Sequence, residues 1–293
     1  MNVLVCGARG FVGRAACDAL RRRGHRVIAG VSSASSRADT LCVDFARDVD
    51  AATWRPRLAG IDAVINTVGV LRDSRRRPIA AVHEQAPRAL FEACAAVGVR
   101  RVVQVSALGI AGSQTAYART KRAAEEALLA HVAAGRLDGV IVRPSLVFGH
   151  GGASSELFLA LARLPFLLLP AAVRDTRVQP VAVSELGAVL AALAEATDRG
   201  STLAAVGPQA LALGDFIASL RAQAGRAPAR VATLPGALAR WSARAGDVVP
   251  LSPWCSETLA LLDTDNVADP QPFERVLGRR AMRFDALLEE TAA

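Results

Sequence analysis

The sequence predicts an α/β chain, a doubly wound parallel sheet with a smaller C-terminal substrate lobe. Three observations predict it. Over the first half, short β-branched runs alternate with amphipathic helical stretches, the pattern of a parallel sheet covered by helices on both faces. A glycine-rich turn joins the first run to the first helix. After about Phe148 the rhythm gives way to helices, prolines and irregular segments. The boundary is therefore placed near residue 150: 1–150 as the sheet domain and 151–293 as the smaller lobe, with 176–198 packing back on the sheet domain.

The strands of the first part are expected at Asn2 to Cys6, Arg26 to Val31, Leu41 to Val43, Ala63 to Thr67, Arg101 to Val105 and Gly139 to Val142. Between them lie helices at Val12 to Arg23, at Ala81 to Val97 with Gly98 as its stop, and at Ala116 to Ala134 with Gly135 as its stop. Shorter strands follow at Val178 to Val183, Leu203 to Val206 and Arg230 to Leu234. The apolar run from Leu157 to Val173 is broken by Arg163, Pro165 and Pro170, too short and too interrupted to span a bilayer. It reads as a helix and lid lining a pocket, with peripheral membrane contact as the rival reading.

Composition narrows the function classes. With 293 residues, 52% hydrophobic and 21% charged, the chain has length and apolar content for a large core, which excludes disorder as its main state. The formal charge of +8 comes almost wholly from scattered arginines, and aromatics make up only 4%, which argues against stacking on bases and hence against a nucleic-acid partner. Arg21-Arg22-Arg23 and Arg75-Arg76-Arg77 read as a solvated helix end and a loop. The five cysteines are odd in number and lack CxxC spacing, so neither a disulfide framework nor a zinc site is expected. No basic stretch precedes an apolar one at the N-terminus, and the chain reads as cytoplasmic. His25, His83, His131 and His150 have no metal spacing, and no metal is expected; His150, next to Gly149, is a candidate for substrate contact. Glu125-Glu126 reads as an exposed helix face.

The chemistry begins in the turn. Asn2 to Cys6 runs into Gly7-Ala8-Arg9-Gly10-Phe11-Val12-Gly13 and then a helix, the context of a dinucleotide-binding turn: glycines let the backbone approach a pyrophosphate, and the helix N-terminus offers free N–H groups and a positive dipole end. Gly7, Arg9, Gly10, Phe11, Val12 and Gly13 are thus candidate cofactor residues. After the second strand, where an NAD site offers an acid to the ribose, the chain reads Gly30-Val31-Ser32-Ser33-Ala34-Ser35-Ser36-Arg37. Hydroxyls such as Ser32, with Arg37 and Arg9, suit a 2′-phosphate, so NADP is expected over NAD, which stays possible. Asp44 and Phe45 are expected by the adenine, and the backbone of Asn66, Thr67, Val68 and Gly69 beside the ribose.

Tyr117 and Lys121 are the sole tyrosine and lysine of the chain, one helical turn apart on one face. The lysine is expected to lower the phenol's pKa and to hold a ribose, leaving the tyrosine as a general acid or base on a carbonyl or carbinol oxygen.

With Val64-Ile65-Asn66-Thr67-Val68-Gly69, Val103-Gln104-Val105-Ser106-Ala107-Leu108-Gly109, Tyr117-Ala118-Arg119-Thr120-Lys121 and Arg143-Pro144-Ser145-Leu146-Val147-Phe148-Gly149, the chain resembles the extended or atypical branch of the short-chain dehydrogenase/reductase superfamily. Within it, the segments are similar to the nucleotide-binding accessory subunit of respiratory complex I and its bacterial relatives labelled nucleoside-diphosphate-sugar epimerases. The resemblance implies a Rossmann domain with NAD(P) across the strand ends, Tyr117 and Lys121 as the catalytic pair, and backbone from Pro144 to Val147 beside the nicotinamide. It also implies a serine after the fifth strand; here Ser106 and, on the following loop, Ser113 both stand as candidates. Where such relatives show an Asp, Val183-Ser184-Glu185 makes Ser184 or Glu185 the opener of that helix. Two function classes follow: an NAD(P)-dependent oxidoreductase or epimerase acting on a small molecule, partly apolar because Leu157, Phe158, Leu161, Phe166 and Leu168 are placed along the pocket wall; or a non-catalytic NAD(P)-binding accessory or regulatory module.

Overall fold

The computed structural model describes residues 1–33, 39–196, 200–249, 254–262 and 264–291. Its first strand, β1 (Asn2–Cys6), sends Val3 and Val5 into one apolar cluster and Leu4 and Cys6 into another, so alternate side chains are buried on both faces of the sheet. The chain then runs α1 (Phe11–Arg22), β2 (Arg26–Val31), β3 (Thr40–Cys42), α2 (Ala51–Trp54), β4 (Ala63–Asn66), a π turn over Ala81–Gln85 leading into α3 (Ala86–Val97), β5 (Arg101–Val105), α4 (Ala116–Ala133) and β6 (Asp138–Pro144). Beyond it come β7 (Val147–Phe148), α5 (Ala153–Arg163), β8 (Phe166–Pro170), α6 (Ala171–Asp175), β9 (Arg177–Val178), β10 (Val181–Ala182), α7 (Val183–Glu195), β11 (Ser201–Ala205), β12 (Leu211–Ala212), α8 (Leu213–Gln223), β13 (Arg230–Leu234), α9 (Gly236–Asp247), α10 (Ser256–Leu261) and α11 (Gln271–Leu277).

Seven parallel strands form the central sheet in the order β11-β6-β5-β4-β1-β2-β3, the doubly wound α/β fold. The order reverses between β1 and β4, and ligands of such sheets bind in the crevice outside the strand ends at that point.

The second half departs from its expected plan in four places. The strand expected at Leu203 to Val206 is the sheet's edge: Ser201 pairs with Val140 and Ala205 with Pro144, so the chain beyond 150 completes the sheet as well as building the smaller lobe. Helix α7 returns onto α1, where Gly187 permits close approach, since a β-carbon there would lie 2.6 Å from the Ala15 backbone. The second departure is its start: it opens at Val183 with Ala182 as N-cap, before the expected Ser184 or Glu185, and the buried carboxylate of Glu185 in its first turn accepts the N–H of Met282 at 3.0 Å and pairs with Arg279, tying down the C-terminal segment. The single strand expected at Val178 to Val183 is two, β9 and β10, because Pro180 has no N–H to give a ladder and Gln179 between them bonds elsewhere, donating from Nε2 to the Gly207 carbonyl at 3.0 Å.

The fourth departure concerns the run from Leu157 to Val173. Its second half is strand β8, paired in parallel with β13 (Phe166 opposite Arg230), and not part of a helix. A short apolar run bounded by prolines reads equally as either. Strand alternation puts Leu167 and Leu169 into the core of the smaller lobe and leaves Phe166 and Leu168 56% and 52% exposed, so these two do not line a pocket. Phe158 is itself core, edge-on to Phe216, while Leu157 and Leu161 are half-buried. Among the described residues no helix is long and apolar enough to cross a membrane.

Candidate active site

At the crevice, the turn after β1 is built from close backbone contacts. Gly7 takes φ +80° and donates its N–H to the Gly30 carbonyl at 3.1 Å, and Gly10 donates to the Gly7 carbonyl at 2.8 Å. A β-carbon on Gly13 would lie 2.1 Å from that same oxygen. Helix α1 then starts at N-cap Gly10 with no side-chain cap and no acid in its first turn, so its leading N–H groups are left for an anion. Val12 packs on the core, and the Phe11 ring packs on the loop after β7, 2.8 Å from where a Gly152 β-carbon would be. Across the reversal point Thr67 donates from Oγ1 to the Cys6 carbonyl at 2.8 Å and so locks the end of β4 to β1.

Beside this turn lies a cleft of about 640 Å³ walled by Arg9, Arg14, Ala29, Val31 and Thr40, with Asp18 and Asp39 on it; these acids pair with Arg21 at 3.1 Å and Arg26 at 3.0 Å. Arg9 donates from Nη1 to Ser33 Oγ at 3.1 Å, so the hydroxyl that meets Arg9 belongs to Ser33, one residue beyond the expected Ser32, which is exposed. Arg37 lies outside the described residues. Asp44 spends its carboxylate on the Ala46 N–H at 3.0 Å. The Phe45 ring is core, 4% exposed and edge-on to Trp54 at 5.4 Å, so it is not free to stack on a ligand.

Tyr117 and Lys121 sit on the far side of β4, on the helix that follows β5. Thr115 caps α4, its Oγ1 accepting the Ala118 N–H at 3.2 Å, and this start places Tyr117 and Lys121 one turn apart. Lys121 is 5% exposed and donates from Nζ to the Val105 carbonyl at 3.1 Å. The same carbonyl accepts from Gln104 Nε2 at 3.0 Å; Gln104 Oε1 accepts from Asn66 Nδ2 at 2.8 Å, and Asn66 Oδ1 accepts the Val68 N–H at 3.1 Å. One buried polar chain thus runs from Lys121 through the ends of β5 and β4 to the loop at Val68, while Gly69 stands in the open crevice with Lys121 Nζ 3.4 Å from its β-carbon position. Burial pulls Lys121 down to about 8, against the raising effect of Glu125.

Glu125 itself corrects an expectation. It is 3% exposed and takes Arg143 side-on, accepting from Nε at 2.8 Å, because it lies one turn past Lys121 on the inward face of α4. The phenol departs too: burial pushes Tyr117 up to about 12, and Lys121, whose Nζ is turned to the Val105 carbonyl, does not lower it. His83 stands edge-on to Tyr117, ring centroids 5.3 Å apart. Ser106, first residue past β5, is 4% exposed, and its Oγ is sealed from solvent with no hydrogen-bond partner. Ser113 bonds Thr115 Oγ1 at 3.2 Å in the turn that opens α4. The Pro144 carbonyl accepts the Leu108 N–H at 2.9 Å, Val147 is half-buried on β7, and His150 is exposed beyond it. Residues that sequence reasoning passed over are Ser33, His83 and Gln104, while Asn66 is expected from the sequence to act through its backbone and not its side chain. Asn66 and Gln104 carry a signal, a polar side chain at the carboxyl end of an otherwise apolar strand.

Residues 3–164 match the model of the NAD dependent epimerase/dehydratase family. The ceramide reductase of Caulobacter vibrioides is 32% identical over 201 residues, 65% of this chain and 60% of that protein. The chain spans 52–60% of the length of the curated relatives it matches. Among solved structures, MoeE5 in complex with UDP-glucuronic acid and NAD has a TM-score of 0.72 at 22% identity, covering 99% of this chain and 97% of that one. The NADPH-dependent quinone oxidoreductase QOR2 from Escherichia coli, complexed with NADPH, has a TM-score of 0.71 at 17% identity, covering 97% of each. At these identities the two structures show the fold alone.

Proposed function

The chain belongs to the NAD-dependent epimerase/dehydratase family, and on that premise we propose that it is an NAD(P)-dependent oxidoreductase in which Tyr117 exchanges a proton with a carbonyl or carbinol oxygen. One observation carries the reading: the only tyrosine and the only lysine of the chain lie together at the strand ends beside the reversal point, Lys121 held by the Val105 carbonyl and standing close to Gly69.

The residues present fit a dinucleotide, since the turn from Gly7 to Gly13 is packed so closely on itself that no β-carbon is tolerated at Gly13, and it presents an uncapped helix N-terminus to the crevice. Arg9 with Ser33 would hold a 2′-phosphate, Thr67 to Gly69 and Lys121 would flank the ribose, and the backbone from Pro144 to Val147 would close the far end. Bound there, NADP(H) supplies or accepts the hydride. Near neutral pH Tyr117 keeps its proton and Lys121 is mostly charged, a donor beside a fixed cation, which suits protonation of an oxygen that gains charge. Ser106 is assigned the third position because its hydroxyl is, among the described residues, the one buried side-chain oxygen left without a partner; reaching it requires the turn after β5 to open slightly.

An apolar carbonyl compound is the substrate class this supports. Leu157 is half-buried and lies outside the apolar core of the smaller lobe on which Leu161 packs, Arg174 is engaged by Thr233 at 2.8 Å and so does not stand free for a sugar nucleotide's phosphates, and the relative in Caulobacter is named for a ceramide.

Two measurements test this. Fluorescence titration is expected to give NADPH at least about tenfold tighter than NADH, with Arg9→Ala removing the difference, roughly 1.4 kcal/mol; equal affinity for both in the wild type overturns the 2′-phosphate assignment. In a screen of long-chain and aryl ketones, Tyr117→Phe is expected to slow NADPH consumption by about 10³-fold with NADPH affinity unchanged. Wild type and variant turning over alike would remove Tyr117 from the chemistry.

A further inference from the structure

Among the buried groups that this chemistry does not use, His83 stands nearest to it. The chain before α3 is widened into a π turn over Ala81–Gln85 because Pro87 has no N–H for the carbonyl of residue 83 and its ring crowds that oxygen. His83, at the centre of the turn, is 1% exposed. Its Nε2 accepts the N–H of Val70 at 2.9 Å, which requires that nitrogen to carry no proton. The ring proton therefore sits on Nδ1 and is donated to Thr120 Oγ1 at 3.2 Å, whose own hydroxyl hydrogen goes to the Ala116 carbonyl at 2.8 Å. The ring plane meets that of Tyr117 at 83°, and Nε2 lies 3.6 Å from the Gly69 β-carbon position. A single imidazole thus touches the loop after β4, the helix α4 and the phenol.

We propose that His83 is a positioning residue for Tyr117: held as the Nδ1–H tautomer, it braces the phenol and fixes the spacing between the loop at Gly69 and the helix that carries Tyr117 and Lys121. The proposal rests on the role given to Tyr117 above. Protonation of Nε2 would set two donors against each other at Val70 and place a second cation beside Lys121; burial and Lys121 together hold the imidazole down to about 2. The titratable groups against it are Lys121 and Tyr117, both on α4, while Glu84 on its own turn is directed to Arg88.

The test reads the ring and the reaction separately. In the full chain, ¹⁵N-histidine NMR resolves four imidazoles and ring-labelled tyrosine gives the lines of Tyr117 alone. One imidazole is expected to stay neutral with its proton on Nδ1 from pH 8 to 5, and the two edges of Tyr117 are expected to give separate lines that merge through fast ring flipping in His83→Ala. In turnover, His83→Phe is expected to lower kcat by about 10- to 100-fold with NADPH affinity and KM within threefold, and His83→Gln, whose amide oxygen still reaches the Val70 N–H, to recover part of it. Four histidines that all titrate near the ordinary value, or a Tyr117 ring that flips equally fast with and without His83, overturn the proposal whatever the substrate. So does an unchanged kcat in a folded His83→Phe. If instead the NMR results hold and Tyr117→Phe leaves turnover intact, the catalytic reading of Tyr117 fails and His83 remains a brace of the ring only.

Discussion

Replacing Gly13 by alanine is expected to weaken NADPH binding by about 100-fold or more, roughly 3 kcal/mol, while the far-ultraviolet circular dichroism stays that of the wild type. The added carbon would sit 2.1 Å from the Gly7 carbonyl oxygen, 2.8 Å from its carbon and 2.9 Å from Thr67 Oγ1. Two of these neighbours are backbone of a turn already fixed by the hydrogen bonds of Gly7 to Gly30 and of Gly10 to Gly7, so the turn must open as a unit. Opening it moves the leading N–H groups of α1 away from where a pyrophosphate would sit and presses on the hydroxyl that locks β4 to β1. Overpacking of this kind costs about 1–3 kcal/mol of stability, which a urea midpoint reads. Gly10→Ala, whose β-carbon meets the same oxygen at 3.1 Å, is the matched control and is expected to lose far less. If the two variants bind NADPH as tightly as the wild type, the turn does not cradle the cofactor.

What the amino-acid order reveals of this site follows from how local each feature is. β1, β2 and β5 lie where apolar β-branched runs place them, and the turn from Gly7 to Gly13 is readable because its glycines are dictated by contacts within a few residues. β8 escapes because its partner β13 lies more than sixty residues further on, and Pro165 and Pro170 bound a run that suits either helix or strand. β11 reads as a strand of the smaller lobe because nothing in Ser201–Ala205 reveals that β6 is its neighbour. Glu125 looks like half of an exposed acidic pair until Arg143, eighteen residues later on β6, is brought against it. His83 is the sharpest case. Its partners Val70, Thr120 and Tyr117 come from two other elements, and the π turn that aims it arises from Pro87, a residue whose plain reading is a helix start.

Lys121→Met is expected to lower turnover by at least 100-fold and, at pH 7, to make the chain more stable. The two effects have one cause. Lys121 is buried with its ammonium on a single carbonyl, that of Val105 at the end of β5, and burial brings it from 10.5 in a free chain down to about 8. The native state therefore releases this proton near pH 8 and the unfolded state near 10.5, so between those values the unfolded chain holds the extra proton and stability rises with pH. Below pH 8 the wild type carries the full cost of the buried charge, roughly 3 kcal/mol for a shift of that size. Methionine fills the same volume without the charge and forfeits one hydrogen bond of about 1 kcal/mol to Val105, leaving a net gain of about 1–2 kcal/mol at pH 7. Above pH 10 the gain is expected to vanish, because the lysine is neutral in the native chain as well. Urea midpoints of wild type and variant at pH 7 and pH 10 decide it: a variant destabilised equally at both would mean that the ammonium is well solvated in the native state, and the charge that this reading places beside Tyr117 would then be too weak to serve a proton transfer.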